Sequence, residues 1–145
     1  MEEISAYFAT DGESLKCACG HIFIDIYDYW DQKGRLVRDQ DETRFELGIV
    51  NDLLSLLEAI REGKRQNWTR EKLGKYISPD ISLDILFRTV VGNHMQECEL
   101  RVFECPNCTR LFIESDPGSN YFRCYTAEGR HDTSILRSNF YDKSS

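Results

Sequence analysis

Two short stretches constrain this chain more than anything else in it: SLKCACGHIFID, residues 14–25, and RVFECPNCTRLFIES, residues 101–115. Each carries a close cysteine pair, Cys17 with Cys19 and Cys105 with Cys108, set inside sequence that otherwise reads as extended. A tetrahedral zinc ion takes four ligands at ~2.3 Å, and a chain can supply two of them from one tight turn when the spacing is this short. Pro106 stiffens the CPNC turn and brings no competing N–H, while Gly20 permits a sharp exit from CACG. Amides after the first cysteine of a pair are placed to point back at its sulfur. The two stretches therefore read as halves of one site, with Cys17, Cys19, Cys105 and Cys108 holding one structural zinc ion. His21, two residues after Cys19, is the main rival ligand. A redox reading of CPNC is disfavoured, because reactive CxxC pairs sit where a strand meets a helix and this one lies between strands.

The rest of the composition sets the surroundings of that site. At 145 residues the chain has the usual size of one domain. Its N-terminus lacks the basic start and apolar run of a signal peptide, and no apolar stretch is long enough to span a bilayer. The expectation is a cytoplasmic protein, where thiols stay reduced and paired cysteines favour metal binding over disulfides. The formal charge is −7 with neutral cysteines. Four thiolates and one divalent ion would take it to −7 − 4 + 2 = −9. Such acidity argues against general nucleic-acid binding, whose affinity comes largely from basic surface. It suits a basic protein partner.

Periodicity gives the organisation. Residues 1–13 show no clear pattern and are a candidate mobile segment. In residues 14–40, the first half of a ribbon, Ile22, Ile24 and Ile26 alternate with Phe23, Asp25 and Tyr27 at the strand period of two. DQKGR (31–35) reads as a turn using Gly34, followed by a short return strand. Residues 41–93 read as a helical insertion. Asp41 is the expected N-cap, and Phe45, Ile49, Leu53, Leu56, Leu57 and Ile60 form one stripe. Gly63 is the stop, Thr69 the cap of a second short helix, and Ile81, Ile85, Leu86 and Val90 the buried side of a third. In residues 96–126, the second ribbon half, Cys98, Leu100 and Val102 share one strand face, DPGSN (116–120) is a turn, and YFRCY is a strand. Residues 127–145 are a C-terminal tail in which TSILRS suggests one helical turn. The fold class is α+β: a single domain with a small antiparallel zinc-ribbon-like sheet and two or three inserted helices packed on one face.

No catalytic signature emerges. A site closed by four thiolates has no position open to water. The zinc deaminases pair PCxxC with an upstream HxE, and neither pattern occurs here. There is no HExxH, GxSxG, P-loop or GxGxxG, and DQDETR (39–44) lacks the glycine and closing glutamate of a calcium loop. Asp25, Asp28 and Asp31 would not converge on a strand; they read as a solvated or interaction surface, and Tyr27, Tyr29 and Trp30 among them as a protein interface or as half-buried sheet aromatics. Lys64, Arg65 and Arg70 near Trp68 form the basic–aromatic cluster of the chain. Cys98 and Cys124 read as buried small side chains on strands, and His94 and His131 as surface residues.

CACGH (17–21), DQD (39–41) and CPNCTRLF (105–112) together resemble a group of small bacterial zinc-ribbon proteins. Those carry an N-terminal CxCGH, an acidic DQD, a helical middle and a later CPxCGRLY. The resemblance implies a metal-stabilised fold with no assigned reaction. Thr109 stands where the pattern has glycine. The function expected is therefore a non-enzymatic zinc-binding protein-interaction module, such as a bacterial immunity or adaptor protein with a basic protein partner. The alternative is a nucleic-acid-associated zinc ribbon of transcription or translation.

Overall fold

The computed structural model describes residues 14–24, 31–129 and 134–137, together with the backbone of Ser5–Tyr7. The Asp25, Asp28, Tyr27, Tyr29 and Trp30 surface, Ile26, His131 and most of the N-terminal segment fall outside those residues. The elements run β1 (Ser5–Tyr7), β2 (Lys33–Val37), α1 (Asp39–Arg61), α2 (Arg65–Leu73), α3 (Leu83–Cys98), β3 (Glu99–Glu104), β4 (Leu111–Glu114) and β5 (Tyr121–Tyr125). The fold is α+β, and the chain divides into two compact units. One runs up to Val37 and resumes at Glu99; the other is Arg38–Cys98.

The first unit is a five-stranded antiparallel sheet in the order β1-β5-β4-β3-β2. β2 and β3 pair although all three helices lie between them in sequence, and Val37 is the direct partner of Glu99. The insertion read from the sequence thus leaves and rejoins the sheet at neighbouring positions. Gly34 does not turn the chain. It sits within β2 opposite Val102, where an added Cβ would press on Leu136 at 3.0 Å. The turn falls at Asp31 and Gln32 instead; a lone glycine beside polar residues looks the same in a loop and at a close approach.

Cross-strand partners share a sheet face. Phe103, Phe112 and Cys124 line up on one face, with Phe122 and Cys105 beside them. Leu15 and Phe23 complete this core. Ring centroids of Phe23–Phe112, Phe23–Phe103 and Phe103–Phe122 lie 5.2–5.6 Å apart, tilted or edge-on as aromatic quadrupoles favour. The period-two reading of 22–24 holds, and it is Phe23 that points inward while Ile22 and Ile24 are exposed.

Two buried glutamates tie the unit together. Glu114 accepts from the Arg101 guanidinium at 2.7 and 3.0 Å and from the backbone N–H groups of Arg101 and Asn120. Glu104 accepts from the Ser134 hydroxyl at 2.8 Å and from the Ile135 and Leu136 N–H groups. This fixes residues 134–137 as a non-helical strap, where the sequence suggested a helical turn.

In the second unit, Leu56, Trp68, Leu86 and Val90 form the core, with Leu53, Ala59, Ile60, Leu73 and Ile81 around it. Leu57 and Ile85, expected on the buried stripes, are exposed. α1 begins at Asp39, before the expected Asp41 cap. Arg38 occupies the N-cap position with extended backbone and no side-chain cap, and its Nε donates instead to Asp41 at 2.6 Å. Asp39, Asp41 and Glu42 still place negative charge in the first turn, where the helix dipole favours it. Gly63 ends α1 as expected, at φ +70°. Its N–H bonds the Ile60 carbonyl and that of Lys64 bonds Ala59, the paired closing bonds of a Schellman turn.

Thr69 is not a cap. It is buried inside α2, with its hydroxyl donating to the Arg65 carbonyl one turn back. α3 runs on to Cys98, which closes a helix and does not open a strand. His94 is likewise no surface residue. Its Nε2 lies 2.7 Å from Asp52, and its ring fills the space over Gly48, where a Cβ would come within 2.6 Å.

Candidate metal centre

The first cysteine turn is made by the backbone around it. The Lys16–Ile22 bridge and the Phe23 N–H bond to the Leu15 carbonyl bring the two arms together. Cys17 N–H donates to the His21 carbonyl and Gly20 N–H to the Cys17 carbonyl, with Gly20 at φ +97°. The second turn is the β3–β4 connection. Cys105 N–H donates to the Arg110 carbonyl and Thr109 N–H to the Cys105 carbonyl. Thr109 adopts φ +61°, a left-handed conformation that a β-branched residue resists, and its hydroxyl donates to the Cys108 carbonyl. The turn shape of the CPxCG pattern is kept here without the glycine.

The two turns meet sulfur to sulfur. Cys17 Sγ lies 3.4 Å from Cys108 Sγ, and Cys19 Sγ lies 3.4 Å from Cys105 Sγ. All four sulfurs fall within 4.8 Å of one another. These separations are far beyond a disulfide bond of ~2.05 Å. They bracket the ~3.8 Å edge of a tetrahedron whose metal–sulfur bonds are ~2.3 Å. Each partner pair takes one sulfur from each turn, so an ion held here would cross-link the two stretches. The four thiols thus fit one tetrahedral metal ion in both donor chemistry and spacing. His21 is not part of the cluster. Its ring stands edge-on to Phe23 at 4.8 Å, and its Nε2 is buried with no hydrogen-bond partner among the described residues.

The electrostatics divide the sulfurs. Burial pushes the Cys105 thiol up to about 12, although the N–H groups of Asn107 and Cys108 point at it. Burial also raises Cys17, against the N–H of Cys19. Cys19 is exposed, and the His21 N–H, then the Cys105 thiol, lower it to about 7. The backward-pointing amides expected from the sequence are thus present in both turns. Metal binding must displace the proton from every thiol that carries one, Cys105 being the most reluctant.

Sequence reading missed one neighbour. Arg110 Nη1 donates to Cys108 Sγ at 3.4 Å and reaches Cys17 Sγ at 3.9 Å, placing a cation where four thiolates and a divalent ion would leave net negative charge. Its signal was its place two residues after the CxxC pair. Cys124 packs against the same core, and its thiol is raised by burial and then by the neighbouring Cys17.

The basic–aromatic cluster does not present itself as one. Trp68 is only 8% exposed in the helical core and donates from Nε1 to Ser55 at 2.8 Å. Arg65 donates to the Ile81 carbonyl, and Lys64 pairs with Glu62 at 2.6 Å. Among the described residues no helix is long and apolar enough to cross a membrane.

A search of curated proteins and a search of solved structures each gave no match. Residues 13–129 match a family described as a domain of unknown function, DUF8617. That span contains both cysteine turns, all three helices and β2 to β5. The chain belongs to the DUF8617 family.

Proposed function

We propose that this protein is a non-enzymatic interaction module stabilised by one structural zinc ion on Cys17, Cys19, Cys105 and Cys108. The observation that carries the reading is the convergence of four sulfurs, two from each turn, at tetrahedral spacing. Four thiolates leave a zinc ion no position for water or substrate, so the ion would hold structure and would not hydrolyse. A tetrahedral all-thiol donor set suits zinc or an iron centre, and zinc is the ion we assign. We place the protein in a reducing, cytoplasmic compartment, where such thiols persist.

The formal charge of −7, more negative with bound thiolates, supports a basic protein partner. A bacterial immunity or adaptor protein is the concrete form we favour. The nucleic-acid alternative loses its main residue support, since Trp68 is committed to the helical core.

Elemental analysis of purified protein tests the site. One zinc per chain is expected, falling well below stoichiometry in Cys105→Ser. Unchanged metal content in that variant would remove the ligand assignment. Binding to mixed-sequence DNA or RNA at low salt would remove the preference for a protein partner.

A further inference from the structure

The α1 helix carries a second apolar stripe that no described residue buries. Leu47, Val50, Leu54 and Leu57 are 55%, 49%, 59% and 47% exposed. They follow a three-four-three spacing. At ~100° per residue they fall within an arc of about 80°, centred about 120° from the Phe45–Ile49–Leu53–Leu56–Ile60 side. A wide stripe faces a globular core, whereas a narrow one with this spacing is the seam of paired helices. Four large apolar side chains in a row, each about half exposed, are more than scattered surface residues.

The ends of the helix say what fits that seam. Its first turn is acidic, with Asp39, Asp41 and Glu42, and its last turn carries Arg61. A second copy of α1 laid antiparallel would set Val50 against Leu54 and Leu47 against Leu57 of the partner. It would also bring each Arg61 near Asp39 of the other copy, the first-turn acid that shares the stripe's face, and oppose the helix dipoles favourably. A parallel arrangement would stack acid on acid and arginine on arginine. We infer that this face is a self-association surface, and that two copies of the chain pair through antiparallel α1 helices related by a two-fold axis. The pairing stands apart from the metal reading, since none of these residues belongs to the cysteine turns.

Sedimentation equilibrium of the full chain over a wide concentration range tests it, with circular dichroism and metal content confirming that each variant is folded. The wild type is expected to show a reversible monomer–dimer equilibrium. Leu54→Glu places two buried charges at the centre and should weaken the dimer about tenfold or more. Arg61→Glu should weaken it severalfold, and adding Asp39→Lys to the same chain should restore it. A wild type that stays monomeric throughout would overturn the inference and leave the face to another partner. A dimer indifferent to Leu54→Glu would overturn it as well. One indifferent to Arg61→Glu would overturn the antiparallel arrangement.

Discussion

The sheet unit and the helical unit solve the same problem differently. The helices bury Leu56, Trp68, Leu86 and Val90 and satisfy their polar groups among themselves, as in the Trp68–Ser55 and His94–Asp52–Lys72 contacts. The sheet has short strands and a core of Leu15 and four phenylalanines, and at one end of that core four thiols gather. An apolar core is stable in proportion to what it removes from water. A core that ends in the proposed metal site would depend on that metal being retained. With the proposed metal bound, one chain would have two kinds of stability, and conditions that remove one should spare the other.

The largest expected effect is on the metal side. Structural zinc contributes on the order of 10 kcal/mol in small finger peptides. Chelation of the native protein should therefore strip hydrogen-exchange protection from β3 to β5 while α1 and α3 keep theirs. Uniform loss along the chain, or none, would erase the contrast. The complementary change is Leu86→Ala, which empties a fully buried position in the helical core and should cost about 2–5 kcal/mol. Its metal stoichiometry should stay at the wild-type value, and a loss of metal would mean that the two cores are not separate.

A smaller effect sharpens the description of the sheet. Burial would raise the Glu114 pKa, but Arg101 and the Asn120 N–H more than offset this and hold it below its ordinary value of 4.5. A depressed carboxylate stabilises the fold above that ordinary value, and the contribution is lost as pH falls through the lower folded value. Glu114→Gln should cost about 2 kcal/mol near neutral pH and flatten the acid limb of a denaturation series. An unaltered acid limb would assign that limb to other carboxylates. The smallest effect is a gain. Thr109→Gly relieves the left-handed strain at φ +61° and should stabilise the turn by about 0.5–1 kcal/mol, read as slower metal release to a chelator. Faster release would show that the Thr109 hydroxyl bond to Cys108 matters more than the strain.

The cysteine turns were legible because spacing alone limits what two pairs of thiols can do. YFRCY and the Gly63 stop were legible because alternation and a left-handed glycine act locally. Other positions were decided by distant contacts. Leu57 and Ile85 carry the helical period, yet burial depends on which neighbour arrives, and among the described residues none covers them fully. Thr69 looks like a cap until Trp68 draws α2 into the core around it. Cys98 has strand parity with Leu100, but the helix continues to it because nothing in the local sequence stops it earlier. His94 and the two buried glutamates have no pattern in one dimension. Their partners are remote, and an acid or base in a row of polar residues does not announce that it will be enclosed.

The direct pairing of Val37 with Glu99 has a kinetic meaning. Joining β2 to β3 across an unfolded stretch of that length incurs a closure entropy that rises with the logarithm of the loop. Within the helical unit α1 packs on α3, and Arg44 near the start of one reaches Glu97 near the end of the other at 3.9 Å. Folding that unit first draws its two ends together, and a long-range strand pairing then proceeds like a hairpin. We predict that in refolding experiments helical circular dichroism recovers before the sheet acquires exchange protection, and the reverse sequence would show that the strands find their register without that help.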